Sequence, residues 1–408
     1  MGLFNLVKPN FYVKGADYKK NNTDKTKKIL QEKKTVERFG GEIKYTDDIT
    51  FSSSNIVNSY NFVLSDEQKQ FIFRVKKNFP YNKIEKIIGN FKNLNVLVIG
   101  ELIFDRYCFG SIIGKSGKEP HLVHEESFIE YYLGGSGAIA RHLSTFVKKI
   151  NIISPFGFEN FYKKIIKKNF TKNVNSLFLK PYLKFRTITK SRFVDKVSNY
   201  KLFGSYILPG KNSLEFENNI IKLIKKFSKK SDLIIVSDYG HKFISKKIAN
   251  QIKKTNKYIS VNAQVNASNI RFHNIDKYYR VNSIIINEGE LRQELRDNET
   301  DIKILSKKLV KKNKIKNLII TRGINGAMLV NHKMQVFLCP AFATKSIDKV
   351  GAGDAMFAIV SAGLRLNLDP ELILFIGSIA ASISVESIGN KEHITSSKLD
   401  RIIEYILK

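Results

Sequence analysis

Residues 347–354 read IDKVGAGD and lead directly into an apolar run, residues 355–366, with helical spacing. Glycines let the backbone approach a ligand closely, and the N-terminus of a helix offers free N–H groups and a positive dipole end to an anion. An acid at that point, here Asp354, can accept a proton from a hydroxyl held against the anion. The stretch predicts a site that moves a phosphoryl group from ATP to an alcohol. A Gly-rich turn before a core helix is the simpler interpretation.

The length and charge of the chain limit the class of protein it can be. The 408 residues, 43% of them hydrophobic, are enough for more than one domain around a large core. Most of the net charge of +32 comes from lysine spread along the chain, whereas arginine, the usual base-reading residue, is sparse. We therefore predict a small-molecule partner and no nucleic acid.

Targeting signals and cysteines indicate where the chain works. The weakly polar run 372–385 is too short for a membrane span, and the first residues lack the layout of a signal peptide, so we expect no membrane association. Two cysteines, Cys108 and Cys339, form neither a disulfide framework nor a metal set. A reducing, cytoplasmic location follows as the expectation.

From about residue 94 onward, short apolar runs alternate with helical patterns. Strands are predicted at 95–100, 151–154, 232–237, 258–261, 283–287 and 317–321, and helices at 136–147 and 245–253. Continuous apolar runs of this kind are typical of parallel strands covered on both faces. The pattern predicts a doubly wound α/β domain with a mostly parallel sheet and ligands at the C-terminal strand ends. Residues 121–132 and 187–206 alternate differently and predict a small antiparallel flap.

The IDKVGAGD stretch resembles the D-[TS]-x-G-A-G-D signature of the ribokinase-like, or PfkB, carbohydrate kinases, with Lys349 where the family has Thr or Ser. The resemblance implies a kinase that uses ATP and Mg²⁺, with Asp354 as the catalytic base. It gives the amides of Gly351, Ala352 and Gly353 the role of an anion hole for the transferred phosphoryl group. It also implies that the flap is a β lid over the sugar and that the protein is a homodimer joined through this lid. Because aromatic residues on a small flap suit an interface core, we predict that Phe128, Tyr131 and Tyr132 are among the apolar contacts.

Two segments resemble the family's acceptor side. Residues 100–107, GELIFDRY, resemble its G-[DE]-x-x-x-D strand end, and the D-R-Y continuation is most similar to the heptose 7-phosphate kinases. The resemblance implies that Asp105 binds hydroxyls of the acceptor; a capping acid at a strand–loop junction is the alternative. Residues 134–140, GGSGAIA, resemble the G-G-x-x-x-N-x-A sugar-binding turn and assign Gly134 and Gly135 to the acceptor, although the family's Asn is missing.

Charge alone suggests further contacts in the lid, where Arg192 and Lys190 are predicted to hold an anionic acceptor. Residues 237–240, SDYG, resemble the S-D-Y segment of heptose kinases, which would make Asp238 the acid facing the phosphoryl site. Asn262 and Gln264 stand where those kinases have D-P-K, so the acceptor need not be a heptose phosphate.

Three short motifs resemble the nucleotide side of the family. Residues 287–290, NEGE, match the N-x-x-E motif near hydrated Mg²⁺, and residues 321–326, TRGING, resemble the T-x-G-x-x-G turn bordering ATP. A final Gly-Asn pair at 389–390 closes the helices that flank the adenine in the family. The resemblance implies that Asn287 and Glu290 serve the metal. It also implies that ATP is bound by four residues: Thr321, Gly323, Gly326 and Asn390.

The first 60 residues follow a different pattern. Residues 8–18, KPNFYVKGADY, and the Ser-rich 51–55 resemble the sugar-phosphate nucleotidyltransferases of the cytidylyltransferase superfamily, with a helix at 24–39 and a strand at 40–46 between them. The phosphate-contacting H-x-G-H motif of that family is absent from the sequence. We predict a partial Rossmann-like α/β segment at 1–60 without nucleotidyl-transfer activity, a helical connector at 61–93 and the kinase domain at 94–408. Release of pyrophosphate from CTP or ATP with sugar 1-phosphates would contradict that inactivity.

Three functions are compatible with these patterns. The leading hypothesis is an ATP-dependent phosphotransferase acting on an alcohol group of a sugar or sugar phosphate, in surface-polysaccharide precursor synthesis by resemblance to the heptose kinases. The alternatives are a remnant of a bifunctional kinase/nucleotidyltransferase that makes a nucleotide-sugar, and a non-catalytic sensor of sugar or nucleotide.

Overall fold

A computed structural model describes residues 9–14, 28–45, 64–210, 212–270, 275–343 and 345–408. The chain divides into two compact units, Met1–Val63 and Leu64–Lys408. Among the described residues, no helix combines the length and the apolar character that a membrane crossing requires.

The first unit contains a parallel β-α-β arrangement. Strand β1 (Phe11–Lys14) pairs with strand β2 (Glu42–Tyr45), and helix α1 (Lys28–Arg38) connects them. Gly41 precedes β2, where a Cβ would lie 2.2 Å from the backbone oxygen of Pro9. The strand and helix agree with the pattern predicted between residues 24 and 46, whereas the Ser-rich stretch 51–55 lies outside the described residues. The relation of this unit to the nucleotidyltransferases stays a prediction.

The second unit alternates strands and helices along nearly its whole length. In chain order it comprises α2 (Asp66–Asn78), α3 (Tyr81–Gly89), β3 (Asn95–Gly100), β4 (Leu102–Lys115), β5 (Leu122–Gly135), α4 (Ser136–Leu143), β6 (Lys149–Pro155), α5 (Asn160–Asn169), β7 (Val174–Leu179), β8 (Ile188–Asp195), β9 (Lys201–Ile207), α6 (Leu214–Ser228), β10 (Leu233–Asp238), α7 (Lys246–Lys253), β11 (Tyr258–Ala263), β12 (Ser283–Asn287), α8 (Glu288–Leu295), α9 (Ile302–Asn313), β13 (Asn317–Thr321), β14 (Ala327–Asn331), β15 (Val336–Cys339), α10 (Ala352–Arg365), α11 (Pro370–Val385) and α12 (Ser396–Leu407).

The described strands of the second unit include a nine-stranded sheet in the order β15-β14-β13-β12-β11-β10-β3-β6-β7. Pairing is parallel from β7 to β13 and antiparallel from β13 to β15. The prediction of a doubly wound, mostly parallel α/β sheet is therefore confirmed. The strand order reverses between β3 and β10, and ligands of such sheets bind at the carboxyl ends of strands at this switch point. Gly100 ends β3 at this point. A larger residue would not fit, because a Cβ would lie 2.3 Å from the backbone oxygen of Ser237.

A second, four-stranded sheet has the order β5-β4-β8-β9 and forms the β lid. Its outer pairs are antiparallel, but β4 and β8 are parallel, so the prediction of a purely antiparallel flap is wrong. The sequence pattern also missed β4, because Asp105 and Arg106 interrupt its apolar run. β4 follows β3 after a single residue, Glu101, so the central sheet leads directly into the lid.

The two helices before β3 belong to the second unit. The Ser65 side chain accepts from the Gln68 amide and closes a capping box at the start of α2. Phe71 on α2 is buried between the rings of Phe342 and Phe375, with centroids 6.1 and 6.2 Å away. The Tyr81 hydroxyl on α3 donates to Asp400. Residues 64–93 of the segment predicted as a connector thus pack against the C-terminal helices.

The last helices explain the weakly polar run 372–385. α10 and α11 are almost completely buried and cross closely, because Gly363 and Gly377 leave room where a Cβ would lie 2.0 Å from Ile373 and 2.4 Å from Val360. Small residues in this run therefore serve helix–helix packing. The same packing holds α10, whose N-terminus carries the IDKVGAGD stretch, firmly against the sheet.

Candidate active site

Within the described residues, the turn that starts α10 leaves three backbone amides without partners. Gly351 has φ 93°, a left-handed conformation that favours glycine, and a Cβ there would lie within bonding distance of the Asn390 side chain. In the described part of the chain, the amides of Gly351, Ala352 and Gly353 donate to no other group. Gly353 is exposed, with open space around its Cα. Free amides at a helix N-terminus form a site that fits a phosphate group.

Asp348, the first acid of the motif, anchors this turn. Its Oδ1 accepts from the Val350 amide at 3.0 Å, and its Oδ2 accepts from the Gly389 amide at 3.0 Å. Two lid side chains also reach it: the Tyr107 hydroxyl at 2.8 Å and the Lys201 ammonium at 2.5 Å. Burial alone would raise the pKa of Asp348, but the bonds from Lys201 and Val350 hold it below its ordinary value. The carboxylate therefore stays ionised and ties the amide turn to the lid.

Asp354 lies in the first turn of α10, next to the free amides, and is only partly exposed. Its Oδ1 accepts a hydrogen bond of 2.7 Å from the Tyr239 hydroxyl. Burial raises the pKa of Asp354 to about 7, and the charge of Asp105 adds to this, while the Tyr239 bond and the Lys190 charge oppose it. A carboxyl group with a pKa near neutrality suits a general base.

The turn after β10 presents Tyr239 to Asp354. Glu101, fully buried at the end of β3, accepts from the Tyr239 amide at 3.0 Å and from the His241 amide at 3.2 Å. Burial, together with the charge of Asp238, raises the pKa of Glu101 to about 7. Glu101, at the end of β3, thus fixes the turn after β10 that carries Tyr239.

Asp238 itself does not face the phosphoryl site as predicted. It is 1% exposed, and its Oδ2 accepts from the Tyr278 hydroxyl at 2.5 Å and lies 2.6 Å from the Lys277 ammonium. The next residue, Tyr239, lies in the turn after β10 and donates to Asp354 instead. The S-D-Y segment was recognised in the sequence, but the residue of this segment that contacts Asp354 is Tyr239.

Lid and sheet meet at Asp105, which is 4% exposed on β4. Its Oδ1 lies 2.5 Å from Nη1 of Arg192 on the neighbouring strand β8. A Cβ on Gly134 would lie 2.4 Å from its Oδ2, and a Cβ on Gly135 would lie 2.3 Å from the backbone oxygen of Glu101. The structure therefore brings Asp105, Gly134, Gly135 and Arg192 together, as the predicted acceptor side requires.

Asn287 and Glu290 form a reciprocal capping box at the start of α8. Oε2 of Glu290 accepts from the Asn287 amide at 2.8 Å, and Oε1 accepts from the Val265 amide at 2.9 Å. Burial raises the pKa of Glu290 to about 7. Across the described ranges, no group of three or more His, Cys, Asp or Glu residues could hold a metal ion. Both oxygens are engaged by amides, so these residues fit a hydrated Mg²⁺ contacted through water, and their metal role stays a prediction.

The turn after β13 has the shape expected from its glycines. Gly323 has φ 57° with open space around it, whereas Gly326 has φ 75° and a Cβ there would lie 2.0 Å from the backbone oxygen of Cys339. Thr321, which ends β13, is partly exposed. Asn390 is 2% exposed beneath Gly351, and neither atom of its amide group has a partner within the described residues. Contacts of these four residues with ATP stay predictions.

The geometry agrees with the comparison to known proteins. The model of the pfkB family carbohydrate kinases matches residues 93–396. The chain belongs to this family. It is therefore a carbohydrate kinase of the pfkB family, as the IDKVGAGD stretch indicated.

Two kinds of relative are similar in sequence. An uncharacterized sugar kinase of Buchnera aphidicola subsp. Schizaphis graminum is 27% identical over 337 residues, which cover 78% of this chain and 99% of that protein. The bifunctional protein HldE of Aliarcobacter butzleri is 25% identical over 323 residues, or 77% of this chain. The match spans only 64% of the length of that HldE protein.

Solved structures share the fold at low identity. Phosphofructokinase-2 from Escherichia coli, in complex with substrates and products, has a TM-score of 0.61 at 15% identity, covering 78% of this chain and 100% of that one. Ribokinase from Thermotoga maritima has a TM-score of 0.60 at 17% identity, covering 76% and 99%. These likenesses confirm the ribokinase-like α/β fold.

Four residues around this site were missed by the sequence analysis: Glu101, Lys201, Tyr239 and Asp348. Glu101, Tyr239 and Asp348 lie inside motifs that were quoted, so the signal was present in the sequence. Their roles depend on contacts with residues more than a hundred positions away, as in the Tyr239–Asp354 bond.

Proposed function

We propose that this pfkB-family kinase transfers the γ-phosphoryl group of ATP to a hydroxyl group of a sugar phosphate. One observation carries the proposal: Asp354 has a pKa near 7, accepts from Tyr239, and lies beside three free amides at the start of α10. This arrangement supports a role for Asp354 as a proton acceptor beside an anion site, with Asp105 close enough to influence its charge and Arg192 paired to Asp105.

Each part of the site has a chemical task in the proposed reaction. The acceptor hydroxyl gives its proton to Asp354 while its oxygen forms a bond to the γ-phosphorus. The bond from that phosphorus to the β–γ bridging oxygen breaks, and the electron pair leaves with ADP. The amides of Gly351, Ala352 and Gly353 stabilise charge on the phosphoryl oxygens, and Asp105 orients the acceptor. Mg²⁺, when bound through water near Asn287 and Glu290, supplies positive charge to the phosphates.

A phosphorylated sugar is the acceptor class that the surroundings favour. Arg192 supplies positive charge from the lid, 2.5 Å from Asp105, where the acceptor is expected to bind. The D-R-Y and S-D-Y segments resemble heptose phosphate kinases, and HldE proteins are among the relatives. We extend the proposal to surface-polysaccharide precursor synthesis in the cytoplasm on that resemblance.

We also propose a homodimer joined through the β lid. Phe128 and Phe203, on the outer strands β5 and β9, are about half exposed. Tyr132, expected among the dimer contacts, is 6% exposed and packs against Tyr107 inside the chain, so that part of the expectation is wrong. Tyr131 also packs within the chain, with its ring 4.8 Å from that of Phe161.

The variant Asp354→Asn tests the proposed mechanism. It keeps the shape of the side chain and removes the proton acceptor, so turnover should fall by about 10²–10⁴-fold. ATP affinity measured by calorimetry should change little, because the phosphates are held by amides and metal. Asp301→Asn, at the exposed start of α9 where Asn also caps well, is the matched control. Near-normal turnover of Asp354→Asn would refute the mechanism, and ATP binding without transfer by the wild type would favour a sensor.

A further inference from the structure

Lys190 on β8 is a buried cation that has no ionic partner in the described part of the chain. The residue is 6% exposed, and across the described residues no carboxylate lies within 4.0 Å of its ammonium group. The ammonium instead lies 5.1 Å from the centre of the Tyr239 ring and 5.6 Å from that of the Tyr206 ring. Burial lowers the pKa of Lys190 below its ordinary value. Taking a charge out of water in this way is costly unless an anion joins it.

The carboxylates nearest to Lys190 are engaged by other donors. Asp105 is bound by Arg192 at 2.5 Å, Glu101 accepts two backbone amides, and Asp354 accepts from the Tyr239 hydroxyl. These carboxylates attract the Lys190 ammonium by their charge, without a direct hydrogen bond in the described residues. The ammonium group therefore has hydrogen-bonding capacity left for an anion that enters the cleft.

The position of Tyr239 indicates which anion this is. Its ring lies beside the Lys190 ammonium, and its hydroxyl binds Asp354, so the cation and the base share one side chain. The phosphoryl group in transfer must come here, because the acceptor hydroxyl gives its proton to Asp354.

We propose that Lys190 is a catalytic residue that binds the phosphoryl group while it passes from ATP to the acceptor. The inference rests on the proposed phosphotransfer. As the acceptor oxygen bonds to phosphorus and the bridging oxygen departs with its electron pair, the ammonium donates to a non-bridging oxygen. Lys190 keeps its proton throughout, and the hydroxyl proton goes to Asp354. A cation of this kind stabilises the transition state more than the bound substrates.

The test compares Lys190→Met, which removes the charge but keeps much of the volume, with Lys190→Arg, which keeps the charge. Lys196→Met, on an exposed lysine of the lid, is the control. The acceptor is a sugar phosphate on which the wild type is active. We expect kcat of Lys190→Met to fall by about 10²–10³-fold, as when one transition-state donor is removed. The acceptor KM should stay within about threefold, since the lost contact belongs to the transition state. Lys190→Arg should recover part of the loss.

The possible outcomes separate this inference from the proposed function. A wild type that transfers phosphate to no sugar or sugar phosphate would overturn both. An active wild type with unchanged kcat in Lys190→Met would overturn this inference alone. A rise in KM confined to phosphorylated acceptors would also overturn it, because Lys190 would then bind the acceptor's own phosphate. If Lys190→Met does not fold, as judged by circular dichroism, Lys190→Gln is decided by the same criteria.

Discussion

Removing the Tyr239 hydroxyl should move the pH dependence of the enzyme in a defined direction. In Tyr239→Phe the ring remains beside Lys190 and only the 2.7 Å bond to Asp354 is lost. Burial raises the pKa of Asp354 to about 7, and the Tyr239 bond opposes that rise. Without the bond the ionised form is less favoured, so the pKa of Asp354 rises further. The acid limb of kcat/KM, which reports the free enzyme's base, should therefore move to higher pH.

The strength of the lost bond sets the size of the shift. A hydrogen bond to a charged group contributes about 1.5–3 kcal/mol, and one pKa unit corresponds to about 1.4 kcal/mol. Because Asp354 is partly open to solvent, we take the lower end and expect a shift of about one unit. With a pKa of about 7 moving to about 8, the ionised fraction falls roughly eightfold at about pH 6.5 and less than twofold at about pH 9.

The assay is kcat/KM for the acceptor between about pH 5.5 and 9.5, with ADP formation as the readout. Tyr132→Phe is the matched control, because its hydroxyl also donates to a carboxylate, that of Glu130, outside the Asp354 contacts. The control should keep the wild-type profile. An unmoved acid limb in Tyr239→Phe, with normal folding, would show that Asp354 is not the titrating base.

Two further expectations follow from close contacts and from exposed surface. Gly134→Ala would place a Cβ 2.4 Å from Oδ2 of Asp105, so the carboxylate must move. The KM for the acceptor should rise about tenfold or more while the KM for ATP stays unchanged. Equal effects on both KM values would contradict an acceptor role for Asp105. Phe128→Lys should shift a dimer toward monomer, because it puts charge on an apolar surface, whereas a wild type that is monomeric by light scattering at micromolar concentration would refute the lid dimer.

The sequence alone determined the fold class and much of the site. Buried parallel strands are continuous apolar runs, so β3, β10, β12 and β13 were visible without any knowledge of their partners. The Gly351 turn was equally visible, because its left-handed backbone and its free amides depend on local residues and on the helix that follows. Features of this kind depend on residues that are adjacent in the sequence.

Only the tertiary structure decided how the charged groups pair. Asp354 accepts a hydrogen bond from Tyr239, and Asp348 accepts one from the Lys201 ammonium of the lid. Both contacts join residues more than a hundred positions apart. The protonation state of each carboxylate depends on burial and on such partners. Composition and spacing therefore could not distinguish Asp238, which is buried and paired with Lys277, from the partly exposed Asp354. The parallel pairing of β4 with β8 was hidden as well, because Asp105 and Arg106 interrupt the apolar run that is typical of a buried parallel strand.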